Sequence, residues 1–332
     1  MTALFAGMST IGTYRPDRIV SNSELISDLG VDEEWILTRT GISERRFADS
    51  HETVISMAIA AAESALAAAK TPARNVDAVI LATSTYTDQT PAAAPTVAAA
   101  LGCDRPAAFD LSAGCSGYAH GIGQATALVN ADQADTVLVI GSEKLSQFLD
   151  MTERAVAPIF GDGAGAALIT RTAEAGGIRK TVWGSDGGNA RLIRQQTPWE
   201  ELCEAPTRVG LPVIHMEGTE VFRWATTTVP KIVSEIAAAA GIPLTDVEVF
   251  VPHQANLRII DGVARKLGWN NESVVVADDV RHAGNTSAAA LPLAIDDLVK
   301  SGRAKPGQLA LQVSFGAGLS YAGQVFDLPK VA

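Results

Sequence analysis

The second half of this 332-residue chain repeats the order of the first, and that repeat restricts the fold more than any local motif does. In the first half a helical run, Val54 to Lys70, leads to the strand VDAVILATS (Val76 to Ser84). The helical run PAAAPTVAAALG follows and stops at Gly102. A short strand, Ala107 to Leu111, runs into Gly114-Cys115, and an apolar helical run continues to about Asn130. Strands Asp135 to Ser142 and Gly163 to Thr170 close the half. The second half offers the helical run Pro230 to Ala240, the strand VEVFVPH (Val247 to His253) and the helical run NLRIIDGVARKLG, ending at Gly268. The strand Ser273 to Asp279 then runs into Gly284-Asn285, and an apolar helical run continues to about Lys300. Strands Gln308 to Ser314 and Leu319 to Phe326 complete the succession.

Strands alternating with Ala-rich helices imply a layered α/β fold. Repetition of the whole order implies an internal duplication, with halves 1–172 and 173–332 related by a pseudo-twofold axis. The apolar helices 116–130 and 286–300 carry few charges on any face, as expected of helices buried on all sides between two sheets. Pro292 sits awkwardly there, because proline inside a helix costs about 3 kcal/mol. The duplication places Cys115 and Asn285 at equivalent helix starts, brought close by the axis, with His253 ending the neighbouring strand.

Composition narrows the function classes. The chain is 47% hydrophobic and 19% charged, yet holds no uninterrupted apolar run of about 18 residues, so no membrane span is expected. Its first residues, MTALFAGMSTIGTYRPD, lack a basic leader and a long apolar run, which points to the cytoplasm. A net charge of −11 argues against nucleic-acid binding through the bulk field. Three cysteines, at 103, 115 and 203, are too few and odd for a disulfide framework. No C-x-x-C occurs and the five histidines lack ligand spacing, so no structural metal is expected.

The segment DLSAGCSGYAHGI sets Cys115 among small residues at a strand-to-helix turn. Glycines let the backbone turn sharply and approach a ligand. A helix N-terminus offers unpaired N–H groups and partial positive charge, which favour thiolate over thiol. Taken singly, Cys115 reads equally as an inert buried cysteine, His253 in VPHQAN as a satisfied core histidine, and Asn285 in HAGNTSAAA as a helix N-cap. Taken together on the duplicated frame, the three read as a reactive set. Cys103 reads as buried filler, Cys203 as a loop cysteine and His282 as a surface loop residue.

GCSG, FGDGAGAAL (Phe160 to Leu168), VPHQANLRII (Val251 to Ile260) and GNTSAA (Gly284 to Ala289) resemble signature segments of β-ketoacyl-acyl carrier protein synthase III. WILTRTGISERR (Trp35 to Arg46) does too, and the resemblance runs in order over essentially the whole chain. The segment GAGLSYAG is similar to the actinobacterial branch. The resemblance implies a thiolase-like duplicated fold, five-layered α-β-α-β-α with pseudo-twofold symmetry. It also implies an acyltransferase that initiates type II fatty acid synthesis. In that chemistry an acyl-CoA acylates Cys115; malonyl-acyl carrier protein then loses carbon dioxide, and its carbanion attacks the thioester. Related priming enzymes of polyketide pathways share this chemistry and stay open as an alternative. A thiolase is disfavoured, since the C-terminal half holds no cysteine besides Cys203.

By the same resemblance Cys115, His253 and Asn285 are catalytic, and the backbone N–H groups of Cys115 and Ala317 form the oxyanion hole. His253 and Asn285 would donate to the malonyl enolate, each worth about 3 kcal/mol. Many members carry glycine in place of Ala317 and bulky aromatics in place of Leu319 and Tyr321; a backbone donor survives the first change unless φ is positive. Trp35 and Arg39, four apart on one helix face, sandwich the adenine of CoA, with Arg154 adding a cation. Thr40 and Asn256 join the CoA site, while Met216, Gly218, Phe222 and Phe315 line the pantetheine tunnel. Arg258, Arg265 and Lys266, with Arg223, form a basic cluster on an acidic chain, suited to an acidic carrier protein. Thr90 reaches across a homodimer into the partner's acyl pocket; large aromatics there go with very short primers, so Thr90 implies longer or branched ones. No cofactor is implied, acyl-CoA and malonyl-acyl carrier protein being substrates.

Overall fold

Glycine and capping residues cut this chain into elements as the sequence suggests, and the elements stack in five layers. The computed structural model describes residues 5–173, 177–204, 212–270 and 273–332. The first half contributes β1 (Phe5–Tyr14), β2 (Ala78–Ala82), β3 (Ala107–Leu111), β4 (Thr136–Glu143) and β5 (Gly163–Thr172). The second contributes β6 (Val182–Ser185), β7 (Val249–Pro252), β8 (Val275–Val276), β9 (Leu309–Gly316), β10 (Ser320–Asp327) and β11 (Lys330–Val331). One sheet runs β3-β2-β4-β5-β1, the other β8-β7-β9-β10-β6, so the two orders match strand for strand. The repeat read from sequence lacked its fifth members, β1 and β6. The C-terminal β11 extends the first sheet, parallel to β1.

The helices used below are α1 (Glu33–Thr40), α2 (Val54–Ala69), α3 (Ala93–Leu101), α4 (Gly117–Asn130), α5 (Gly218–Ala240), α6 (Leu257–Lys266) and α7 (Ala290–Lys300). Helix α2 starts at a Thr53–Ser56 capping box and buries Met57, Ala58, Ala61, Ala62 and Ala65 at helical spacing. These small residues let it lie flat on β1. A Cβ on Gly12 would fall 2.2 Å from Ala65 N, so glycine is required there. Helices α2 and α3 cover the first sheet, α5 with α6 packed on it covers the second, and α4 and α7 fill the space between, each touching both sheets. Tyr118 and Ile122 of α4 share one hydrophobic cluster with Leu291 and Leu298 of α7.

Several expectations change. Helix α5 begins at Gly218, not at Pro230; proline favours a first turn and so imitates a start, but Val221, Ala225 and Val229 already bury at helical spacing. Strand β8 keeps two residues of the Ser273–Asp279 run. Helix α7 begins at Ala290, which leaves Pro292 in the first turn, where a missing N–H breaks no helical bond. The central helices are buried and carry few charges, as expected; of these Asp296 is 4% exposed, accepts from Thr13 Oγ1 at 3.1 Å and pairs with Lys300 at 3.0 Å.

Cys115 and Asn285 are not equivalent. Each central helix is preceded by a 3₁₀ turn, Gly114–Ser116 and Ser287–Ala289. Each turn opens on a left-handed residue, Gly114 at φ 52° and Ser287 at φ 50°. That register sets Cys115 opposite Ala288, while Asn285 lies ahead of its turn. The turns are braced crosswise by the matching central strands. A Cβ on Gly316 of β9 would lie 2.6 Å from Cys115 N, and a Cβ on Gly141 of β4 would lie 2.2 Å from Ala288 O. Among the described residues no helix is long and apolar enough to cross a membrane.

Candidate active site

Cys115 sits in the first 3₁₀ turn, after β3 and ahead of α4. Its carbonyl accepts from Ser314 Oγ of β9 at 2.8 Å. The expected resting thiolate is not what the surroundings favour. Burial pushes the thiol up to about 12; the Ser287 hydroxyl pulls it down and the Glu143 carboxylate pushes it further up. Loss of solvation therefore outweighs the hydrogen bonds that favour the thiolate.

His253 follows β7 and donates its backbone N–H to Val313 O of β9 at 2.7 Å. Its ring stands edge-on to Phe315, centroids 5.2 Å apart, and is 2% exposed, with no hydrogen-bond partner at Nδ1 among the described residues. Burial lowers its pKa to about 3, so the imidazole is neutral near pH 7. A neutral ring still carries one N–H to donate.

Asn285 is fixed by a bridge to Phe160: its N–H donates to Ile159 O at 2.8 Å and its C=O accepts from Gly161 N at 3.0 Å. Its Oδ1 accepts from Ser287 N at 2.8 Å. That bond settles the amide orientation and leaves the NH₂ group as the one available to a ligand.

Cys115, His253 and Asn285 line one cavity of about 530 Å³. Trp35, Arg39, Thr40 and Arg154 line it at one side. Met216, Gly218, Phe222, Asn256 and Phe315 line it elsewhere, with Arg258 at Phe222, its guanidinium 5.6 Å from the ring. Arg39 already stacks on Trp35 at 4.8 Å, so a base can enter between them only if the guanidinium swings away. Arg154 donates to Leu29 O at 2.8 Å and Gly30 O at 3.0 Å.

A second cavity, of about 250 Å³, also reaches Cys115 and shares Phe160 and Ile193 with the first. Leu145, Phe148, Phe160, Ile193 and Ile214 give it apolar walls, and Ala317 and Ser287 stand at its Cys115 end. Ala317 is not among the residues with left-handed backbone, so its methyl group is tolerated and its N–H is kept. A Cβ on Gly114 would lie 3.1 Å from that nitrogen, which shows how closely residue 317 abuts the Cys115 turn.

Arg223, Arg265 and Lys266 lie outside both cavities, exposed like Arg258, on the adjoining helices α5 and α6. Thr90 is exposed and lines neither cavity of its own chain. Cys103 is half-buried rather than buried, and Cys203 is exposed on a short helix, Trp199–Glu204, rather than on a loop. His282 is exposed, as expected, though on a short helix, Val280–Ala283, rather than in a loop. Sequence reasoning missed the walls of the second cavity and two polar residues behind Cys115, Glu143 and Ser287. The signal for Glu143 was an acid ending the apolar strand TVLVIGSE.

Residues 109–187 match the family described as 3-oxoacyl-[acyl-carrier-protein] synthase III, and residues 237–328 match its C-terminal counterpart. The chain is 49% identical to the β-ketoacyl-[acyl-carrier-protein] synthase III of Mycobacteroides abscessus, covering 98% of this chain and 95% of that one. It is 44% identical to the enzyme of the same name from Streptomyces glaucescens, covering 98% and 97%. A solved priming β-ketosynthase from the R1128 polyketide biosynthetic pathway superimposes with a TM-score of 0.95 at 41% identity, covering 98% and 97%. The 3-oxoacyl-[acyl-carrier-protein] synthase III of Aquifex aeolicus gives a TM-score of 0.89 at 35% identity, covering 97% and 99%. The chain belongs to the 3-oxoacyl-[acyl-carrier-protein] synthase III family, with the thiolase-like duplicated five-layered fold.

Proposed function

We propose that this synthase loads an acyl group from acyl-CoA onto Cys115 and condenses it with malonyl-acyl carrier protein, releasing carbon dioxide and starting fatty acid synthesis. The observation that carries the reading is the meeting of Cys115, His253 and Asn285, from three distant segments, in one cavity, with Cys115 also lining an apolar one. The thioester carbonyl sits against the N–H groups of Cys115 and Ala317, which stabilise the tetrahedral oxyanion. The CoA thiolate leaves through the larger cavity, past Phe315, Phe222, Met216 and Gly218 towards Asn256, Thr40, Trp35, Arg39 and Arg154. The acyl chain rests in the apolar cavity. Malonyl thioester then enters, and the N–H of neutral His253 and the NH₂ of Asn285 hold its carbonyl as carbon dioxide departs. The resulting enolate carbon attacks the acyl–Cys115 thioester and expels the sulfur. The nucleophile thus belongs to the half 1–172 and the enolate donors to the half 173–332. No cofactor takes part.

Arg223, Arg258, Arg265 and Lys266 stand exposed on α5 and α6, Arg258 lining the larger cavity, without a carboxylate partner among the described residues, on a chain of net charge −11. Such unpaired cations suit an acidic carrier protein. Strand β3 is an edge strand with Phe109 exposed, a surface that a second copy would cover to make a homodimer. Thr90, exposed on the loop before α3, then serves the partner's acyl cavity, and its small side chain leaves room for longer or branched primers. The substrates place the reaction in the cytoplasm. The likeness to the R1128 enzyme favours one second reading, the same chemistry priming a polyketide.

Intact-mass measurement after mixing with acyl-CoAs of increasing length tests the reading. One acyl adduct is expected on the native chain, extending beyond acetyl, and none on Cys115→Ala. No adduct on the native chain with any primer overturns it.

A further inference from the structure

Glu143 is a buried carboxylate that the steps above leave unused. It ends β4 and is 0% exposed, and no ion pair among the described residues neutralises it. Hydroxyls surround it instead. Oε1 accepts from Ser84 Oγ and from Ser287 Oγ, both at 2.9 Å. Oε2 accepts from Thr85 Oγ1 at 2.6 Å, Ser84 N at 3.0 Å and Thr83 Oγ1 at 3.2 Å. Backbone donors orient the threonines: Lys144 N donates to Thr85 Oγ1 at 2.9 Å and Thr85 N to Thr83 Oγ1 at 3.2 Å. Their own protons can then turn to the carboxylate, and five donors on two oxygens favour its ionised form against the burial that raises its pKa.

Ser287 stands between this anion and Cys115: its turn is in contact with the Cys115 turn, its hydroxyl pulls the thiol's pKa down, and both residues line the apolar cavity. A serine has one hydroxyl proton; given to Glu143, it leaves the oxygen lone pairs to accept from the thiol. The backbone supplies a second, independent sign. Ser287 holds φ 50° where the matching turn uses Gly114, a conformation that costs a side-chain-bearing residue about 1–2 kcal/mol. Glycine would satisfy the turn's backbone; serine adds a hydroxyl that bonds Glu143.

We propose that Glu143, acting through Ser287, takes the proton of the Cys115 thiol as the enzyme is acylated and returns it when condensation releases the sulfur. This rests on Cys115 being the nucleophile. In loading, the S–H proton passes to Ser287 Oγ while the Ser287 proton passes to Glu143 Oε1. The sulfur electron pair forms the S–C bond, and the C–S bond to CoA breaks with its electrons leaving on CoA, which takes a proton from solvent. In condensation the enolate carbon bonds the acyl carbon, and the Cys115 C–S bond breaks. The sulfur then regains its proton from Ser287 as Glu143 reprotonates the serine. Glu143 ends the cycle ionised, and one solvent proton has been consumed. Burial raises the Glu143 carboxyl, which makes it a better match for a thiol. Of the groups facing it, Thr83, Ser84 and Thr85 come from the loop after β2, Ser287 from the turn before α7, and Cys115 is the titratable one beyond. Lys144 turns its amine to Glu52 O at 2.7 Å and to Asp49 O.

The test is the rate of Cys115 alkylation by iodoacetamide against pH, corrected with Cys115→Ala. Glu143→Gln and Ser287→Gly should each lose tenfold or more at pH 7 and recover as pH rises through the thiol's own ionisation. Ser287→Gly keeps the backbone donor to Asn285 and relieves the left-handed residue, so it should melt no lower than the native chain and decides the matter if Glu143→Gln fails to fold. A native pH profile in Ser287→Gly overturns the relay. Failure of every acyl-CoA to load the native chain would instead remove the proposed function, while the alkylation profile still judges the relay.

Discussion

The two halves share one strand order and place different chemistry on it. In the first half the turn before the central helix carries a sulfur; in the second the matching position is Ala288, and the reactive amide stands ahead of the turn. The first half contributes a thiol that burial keeps neutral, the nucleophile of the proposed reaction, and the second a neutral imidazole and an amide whose free group is its NH₂. Duplicating a frame thus gives two sites of attachment facing one another, and divergence at a few positions makes them complementary.

The crossed glycines offer the sharpest way to break this comparison. Gly316→Ala should disturb the Cys115 turn, Gly141→Ala the Ser287 turn, each against backbone, at about 1–3 kcal/mol or more of stability. If the bracing is crossed, Gly316→Ala suppresses acylation chiefly, and Gly141→Ala suppresses carbon dioxide release from malonyl-carrier protein chiefly. Thermal melts with the two half-reactions measured separately decide it. Next, Asn285→Ala should slow decarboxylation by about 10²-fold while acyl adducts on Cys115 still form, because each enolate donor is worth about 3 kcal/mol. Equal losses in both half-reactions would erase the division of labour.

A smaller effect is expected from pH. His253 has a folded pKa of about 3 against 6.5 when unfolded, so between those values the unfolded chain binds more protons. Stability should therefore fall as pH drops below about 6.5, at up to about 1.4 kcal/mol per pH unit, and His253→Gln should flatten the trend in melts from pH 7 to 5. Smallest is the surface term. Arg258→Glu with Arg265→Glu should raise KM for malonyl-carrier protein severalfold and leave that for acyl-CoA unchanged; equal shifts would dismiss the carrier surface.

Much of this was legible in the sequence because periodicity and glycine punctuation are local. Helix α2, strand β3 and the Cys115 turn fall within a residue or two of their reading. Strand β1 was missed: FAGMSTIGTY mixes small and polar residues, since its outer face must admit α2 through Gly12. The start of α5 was hidden by Pro230, a residue that marks beginnings more often than interiors. Among the site residues, Cys115, His253 and Asn285 stood out only as a set, because the repeated element order brings their three segments together. Glu143 and Ser287 did not, because their meaning is a hydrogen bond across 144 positions, which no local pattern records.

Gly141 and Gly316 also bear on how such a chain can change over generations. A doubled unit ordinarily frees one copy to drift while the other preserves the trait. Here the turn ahead of each copy's central helix leans on a bare backbone position in its twin, so neither is free to change alone. A substitution in one is judged at once by the performance of the other, and the pair is inherited as a single unit.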